Sequence, residues 1–483
     1  MPDKDRHPHD KPGVIFWFRH DLRLHDQLAL ELAVDQAQRL GGWLLPIYVH
    51  DERLHAPTPW GFPRMGKNRA AWIRMAVNGL SAQLTALGST LIEANGDPAR
   101  LLANLVRALD NPLLVCEELP APEEQNQIET LRRDGVKVDT VWQSTLMAPQ
   151  TLPCLPKDLP DQFTSFRQIL ERNAIRATPP SAAVKTLPCL PADSVMATCR
   201  AMLPVPTTAA NSAPPQPDQR TSFPWNQPHF HAGETAALAH LDQYCRRGLP
   251  HAYKSTRNGL TGVDYSSKWS PWLATGALSA RMAWAAICEF EASQGASEST
   301  YWLHFELLWR DHFRWLHCKH GRKLYAAGGL ADLPASRHND TDFQKWCRAE
   351  TGNAFIDAGM KELALTGYLS NRMRQNVASY LIHDMACDWR AGAAWFEACL
   401  IDYDVYSNQG NWLYLSGRGT DPRANRRFNT LLQANTYDPH STYRQLWANP
   451  SSCLRDSDQQ MLDRPACNSD WQSVVDFQNA QAA

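Results

Sequence analysis

No stretch of this 483-residue chain holds the roughly 18 consecutive apolar residues that a bilayer crossing needs. The opening MPDKDRHPHDKPG has no apolar core, so residues 1–12 are expected to form a charged tail and not a leader. Twelve cysteines are scattered singly without a CxxC, which suits reduced thiols in the cytoplasm. His317, Cys318 and His320 fall close together, but a metal is not expected there. An excess of one charge is missing too. The net charge is -2, so any nucleic-acid partner must be held by a local basic patch. The turn after the first apolar run, RHDLRLHD, lacks glycine, and a dinucleotide site of the usual kind needs Gly-rich backbone there to approach a pyrophosphate.

What is present is apolar mass, aromatic rings and two kinds of periodicity. The chain is 43% hydrophobic and carries 18 tryptophans, enough for a large core or one built round an aromatic ligand. VIFWF, WLLPIYVH, TLIEANG, PLLVCEE and VKVDTVW read as short buried strands, with amphipathic stretches such as NRAAWIRMAVNGLSAQLTALG between them. That alternation predicts an α/β domain over residues 13–146, a doubly wound parallel sheet. Residues 147–232 are Pro-rich and lose periodicity, which predicts a connector over the surface. Residues 233–449 carry apolar residues at three- and four-residue spacing and predict an all-α domain. Residues 450–483 are expected to be a tail.

Three segments carry chemistry. In DYSSKWSPWLATGALS, Ser270 before Pro271 has the form of a helix N-cap followed by proline, a terminus that attracts anions, with Ser266, Ser267 and Lys268 just outside it. A well-capped helix without a ligand explains that segment equally well. In FELLWRD, Glu306, Trp309 and Arg310 share one helical face and could hold a flat heterocycle, although a surface ion pair over a tryptophan is the commoner outcome. In LIDYDVYSNQGNW, Asp402, Asp404, Ser407 and Asn408 gather polar groups beside Trp412, as a polar-edged pocket would.

Taken together, WFRHDLRLHD, TRNGLTGVDYSSKWSPWLATGALSAR, STYWLHFELLWRDHFR, GYLSNRMRQNVASYL and LIDYDVYSNQGNWLYLSGRGTDPRANRRFN resemble the photolyase/cryptochrome flavoprotein family, most closely its cryptochrome DASH branch. The match covers roughly residues 13–447. The resemblance implies FAD in the helical domain, with Tyr253, Ser266, Ser267, Lys268 and Ser270 at the diphosphate. It sets Arg374 and Asp402 against the isoalloxazine, Asp404 near its polar edge and Asn408 opposite N5, with Glu306, Arg310 and Asn371 among the cofactor contacts. An amide at Asn408 cannot act as an acid towards N5, and Arg374 favours an anionic reduced ring.

The implied reaction is light-driven splitting of cyclobutane pyrimidine dimers by electron transfer from reduced FAD. Glu306 would bond the lesion and Trp309 stack on it, with Asn371 and Arg372 at the rim. Tyr414 and Gln375 stand where double-strand enzymes of the family have tryptophan and methionine, which points to lesions in single-stranded DNA, with RNA as a further candidate partner. Arg257, Arg372, Arg418, Arg423, Arg426 and Arg427 are candidates for phosphate contact. Trp412 and Trp389 match the first two links of an electron-transfer chain. Ser336 stands at the third, and Trp346 is the candidate substitute. A folate antenna is common in relatives, and Glu117, Glu118 and Glu124 are candidates for it here. A blue-light receptor that binds FAD and nucleic acid but signals through partners is the rival reading. No heptad demands a dimer, so a monomer is expected.

Overall fold

The computed structural model describes residues 12–204, 216–421 and 426–448. Five strands, β1 (Gly13–Phe18), β2 (Trp43–Asp51), β3 (Ile92–Gly96), β4 (Leu113–Glu117) and β5 (Val138–Val141), pair in parallel in the order β3-β2-β1-β4-β5. Such strands read as continuous apolar runs because both faces are covered. In β1, Val14, Phe16 and Phe18 enter one core and Ile15 and Trp17 the other, as the two-residue period of a strand requires. Helices α1 (Leu28–Arg39), α2 (Lys67–Ala86), α3 (Pro98–Ala108) and α4 (Pro122–Arg133) make the crossovers.

Beyond residue 232 the chain is helical. The elements that build the site are α7 (Glu234–Arg246), α8 (Tyr253–Thr256), α9 (Ser270–Thr275), α10 (Ala280–Gln294) and α11 (Glu298–His320). They are followed by α12 (Asp340–Cys347), α13 (Ala354–Thr366), α14 (Asn371–Ser379), α15 (Trp389–Cys399) and α16 (Val405–Leu415), with α17 (Thr430–Tyr437) and α18 (Thr442–Ala448) closing the described chain. The long α11 starts on a reciprocal cap: the Thr300 N–H donates to Ser297 Oγ (3.2 Å) and the Ser297 N–H to Thr300 Oγ1 (2.9 Å). Among the described residues, no helix is long and apolar enough to cross a membrane.

The glycine-free turn after β1 is a clasp between the two halves. Arg23 donates to the Gly276 carbonyl (3.0 Å), and the buried Asp26 accepts from Ser279 (2.5 Å) and Arg281 (2.9 Å). Gly276 has φ +71°, and a Cβ there would lie 2.0 Å from the His20 carbonyl oxygen, so neither the conformation nor the space admits a side chain. The Val14/Phe16/Phe18 face of the sheet joins Trp272, Leu303 and Leu307 in one hydrophobic cluster, so the sheet's core runs on into the helical half.

One stretch departs from the expectation of a surface connector. Two helices form there, α5 (Phe163–Arg172) and α6 (Asp193–Met202), and Phe163, Phe166 and Leu170 of the first are buried against the core. Their spacing of three and four residues is helical, but the prolines on either side hide it.

Candidate functional site

The site is built on α11. Glu306, Trp309 and Arg310 share its face only in part, because the structure aims them at different partners. Glu306 pairs with Arg257 (2.6 Å); burial raises its carboxyl pKa and Arg257 opposes the rise. Trp309 stands edge-on to Tyr414 of α16 (centroids 5.9 Å, 80°). Its flat partner is Phe163, stacked at 3.8 Å and 8° from the stretch expected to be linker. One indole face is therefore taken by Phe163. Arg310 turns away from this mouth, donates to the Ser144 carbonyl (2.6 Å) and lines a cavity between the two halves.

The loop before α9 also differs from the expectation. Ser270 is not the N-cap: it is the first helical residue and exposed, Trp269 precedes it, and Pro271 follows one place further in. The anion-seeking feature lies instead in the loop backbone, where Ser266 (φ +57°) and Lys268 (φ +60°) adopt left-handed conformations uncommon for residues with a Cβ. Ser267 lies between them and accepts from His240 through its carbonyl (3.0 Å). Tyr253 is buried beside Ser266. The Lys268 ammonium is the most informative group. It is 2% exposed, has no hydrogen-bond partner and lies 3.1 Å from the centroid of the Tyr265 ring. Burial drives its pKa well below the usual lysine value. A buried cation in this state fits an anionic group such as a diphosphate.

At the other end, Arg374 of α14 bonds both oxygens of Asp402 (3.0 and 2.7 Å), as a pair set against a ring would. Asp404 caps α16 through the Ser407 N–H (2.8 Å) and pairs with Arg314 (2.5 Å). Burial pushes the Asp404 carboxyl up, but Arg314 and Arg310 overcome it and hold the pKa well below the usual range. Arg314 is a site residue that the sequence did not reveal. Asn408 donates from Nδ2 to the Ala393 carbonyl (3.1 Å). At the outer rim, Asn371 is exposed as the first residue of α14, and Arg372 donates to Gln375 (2.9 Å) and Asn258 (2.8 Å).

Asp404 and Asn408 share with Arg310 the wall of the interdomain cavity, which measures about 1090 Å³. Glu117 and Glu124 also line it, whereas Glu118 does not. Burial, then the nearby Asp21, raises the Glu117 carboxyl to about 8.

The expected phosphate-binding arginines are mostly engaged already. Arg257 holds Glu306, Arg418 bonds Ser336 (3.0 Å), Arg427 bonds Asp384 (2.5 Å), and Arg426 bonds Asp421 and Tyr414. Arg423 lies outside the described residues. His317, Cys318 and His320 are not brought together: His317 serves Phe313 and Tyr325, and His320 bonds Asp161.

Trp412 and Trp389 are both buried. Trp412 packs edge-on against Phe396 (5.1 Å) and Trp346 (6.4 Å). Trp389 begins the helix whose Gly392 abuts the Trp412 indole, one turn away; a Cβ on Gly392 would come within 2.2 Å of that ring.

An α/β half clasped to a helical half, with a left-handed loop around a buried lysine and a buried Arg374–Asp402 pair, has the form of a two-domain protein that holds an anionic cofactor, and the known proteins it matches say which class. Residues 14–185 match the family described as DNA photolyase and residues 302–479 the FAD binding domain of DNA photolyase. Cryptochrome DASH of Synechocystis is 39% identical over 91% of this chain and 88% of its own, and that of Xenopus laevis 39% over 90% and 82%. In structure the chain is similar to a Synechocystis cryptochrome (TM-score 0.83, 35% identity, 97% of this chain and 99% of the other). It is also similar to an Agrobacterium tumefaciens class III photolyase (TM-score 0.73, 25% identity, 100% and 98%). The chain belongs to the photolyase/cryptochrome family, in its cryptochrome DASH branch, and its cofactor is FAD.

Proposed function

We propose that this flavoprotein splits cyclobutane pyrimidine dimers under blue light, with a preference for single-stranded DNA. The observation that carries this reading is the α11 face proposed as the lesion's mouth, where the half-buried Glu306, paired with Arg257, precedes by three residues Trp309, which stands edge-on to Tyr414. FAD, when bound in its reduced form, supplies the light-driven electron. Lys268 and the strained loop around it would hold its diphosphate, and Arg374, fixed by Asp402, would favour negative charge on its ring. Asn408, an amide tied to the Ala393 carbonyl, offers no acid there. Glu306 would hydrogen-bond the dimer, and Trp309, steadied by Phe163, would present its open side. Trp412 and Trp389 would relay electrons when the cofactor is reduced in light.

The preference for single strands follows from the mouth's weak grip. Tyr414 is a smaller wall than an indole, and the arginines around the mouth already have partners within the chain, so DNA phosphates must compete with carboxylates and amides. Extracting a dimer from a duplex costs a few kcal/mol more than taking it from a single strand. The interdomain cavity has the size for a folate antenna, with Glu117 and Glu124 in its wall. Free thiols at every described cysteine suit a cytoplasmic location.

The test compares one thymine dimer in a single strand and in the matching duplex, under blue light with reduced protein. Repair at least about tenfold faster in the single strand supports the proposal. Equal rates would remove the strand preference. Glu306→Ala should slow repair by about ten- to a hundredfold with FAD content unchanged, as loss of a charged hydrogen bond would.

A further inference from the structure

Outside the flavin site, the molecule holds one other concentration of ligand-type side chains. Cys288 and Glu291 lie three residues apart on α10, on one helical face. His304 comes from α11, packed beside it. Among the described residues this is the one place where three such ligand atoms, here sulfur, oxygen and nitrogen, lie within 4.8 Å of one another. We propose that Cys288, Glu291 and His304 form a binding site for a divalent transition metal of the zinc type, which staples α10 to α11.

The geometry accommodates a metal in place of the long hydrogen bond that joins His304 to Glu291. His304 Nε2 and Glu291 Oε2 are 3.4 Å apart, longer than a good charged hydrogen bond. Two ligands at about 2.0–2.1 Å from zinc, at a tetrahedral angle, stand roughly 3.3 Å apart. A thiolate, an imidazole and a carboxylate together suit zinc or cobalt and do not suit magnesium or calcium. Cys288 is exposed, which leaves a side open for a water as fourth ligand.

Surrounding groups orient the ligands. The Trp284 ring lies 4.0 Å from that of His304 and fixes its plane. Trp284 also hydrogen-bonds Cys288 and, with Arg176, favours the thiolate, against the rise that burial and Glu291 impose. A bound metal would displace the thiol proton and hold the thiolate. His304 sits two residues before Glu306 on α11, close to opposite sides of the helix. The metal would brace the helix from behind the lesion mouth without touching it.

The test uses the full-length, FAD-loaded protein and needs no repair assay. Zn(II) is titrated in competition with a chromophoric chelator, and Co(II) is read by its visible d–d bands at wavelengths beyond the flavin's absorption. One equivalent of Zn(II) should bind, and Cys288→Ser and His304→Gln should each weaken it at least tenfold with the flavin spectrum unchanged. Intense tetrahedral Co(II) bands should form with the native chain and be lost in Cys288→Ser. Zn(II) should raise the melting temperature of the native chain and not of Cys288→Ser. Failure to compete with the chelator, or binding equal in the two variants and the native chain, would overturn the site. Neither outcome bears on repair.

Discussion

Single residues separate into those whose task was readable from their neighbours and those whose task depends on a distant partner. Lys268, Arg374 and Asp402 fall in motifs, and the structure adds why they suit a charged cofactor: one is a buried cation without a hydrogen-bond partner and the others a close ion pair. Arg314 was not legible because its carboxylate, Asp404, lies 90 positions away. The direction of Arg310 was equally hidden, since helical spacing fixes a face but not the neighbour that face meets.

Glu117 gives a prediction at this scale. Its carboxyl is raised to about 8 from a usual 4.5, so the folded chain holds a proton there that the unfolded chain has lost. Its contribution is most favourable below about 4.5, is lost progressively as pH rises, and levels off above about 8. Glu117→Gln, which needs no proton, should therefore gain stability relative to the native chain across that window. Urea midpoints measured at pH 5 and pH 8 check the sign; a difference that does not grow with pH would contradict it.

Elements show where local sequence suffices. The inner strands β1, β2 and β4 were legible as apolar runs, because a parallel sheet covered on both faces leaves little room for polar residues, whereas the edge strands β3 and β5 mix in polar ones. The helix carrying Phe163 was not, since flanking prolines mask its short apolar pattern. The capping role given to Ser270 also failed, because the helix begins at Ser270 itself, with Trp269 at the N-cap and no side-chain cap bond. The turn after β1 shows the reverse: its missing glycines ruled out one ligand, and packing revealed a clasp. Removing one side of the buried Asp26–Arg281 pair should cost about 3–5 kcal/mol, read as an earlier urea transition. Asp26→Ala and Arg281→Ala combined should cost less than their sum.

The proposed electron relay also belongs at this scale, because its tryptophans lie on α12, α15 and α16. Trp346 lies against Trp412, Trp389 begins the helix whose Gly392 abuts that indole, and Ser336 is held by Arg418. Trp412→Phe should slow light-driven reduction of the flavin by at least tenfold. If Trp346 substitutes for the missing link, Trp346→Phe should slow it too, whereas an unchanged rate would leave Trp346 a core residue. Transient absorption with an external reductant reads both.

For the whole molecule, the sequence conveyed the two-part architecture and the family, but not how the parts meet. The shared core, the 1090 Å³ cavity between the halves and the pairing of mouth arginines all arise from contacts between distant segments. With a net charge of -2 and those arginines engaged, DNA affinity should rest on few phosphate contacts. Its logarithmic salt slope should then be shallow, about -0.7 per phosphate for a single strand.

The central claim is that light, the reduced cofactor and the mouth on α11 together break the cyclobutane ring. Chromatographic counting of intact thymines released from a dimer-bearing oligothymidylate, with reduced protein in blue light and in darkness, tests it most directly. The account predicts thymine recovery in light over many turnovers and none in darkness. Dimers left intact by fully FAD-loaded, reduced and illuminated protein would contradict it and favour a photoreceptor that signals through partners.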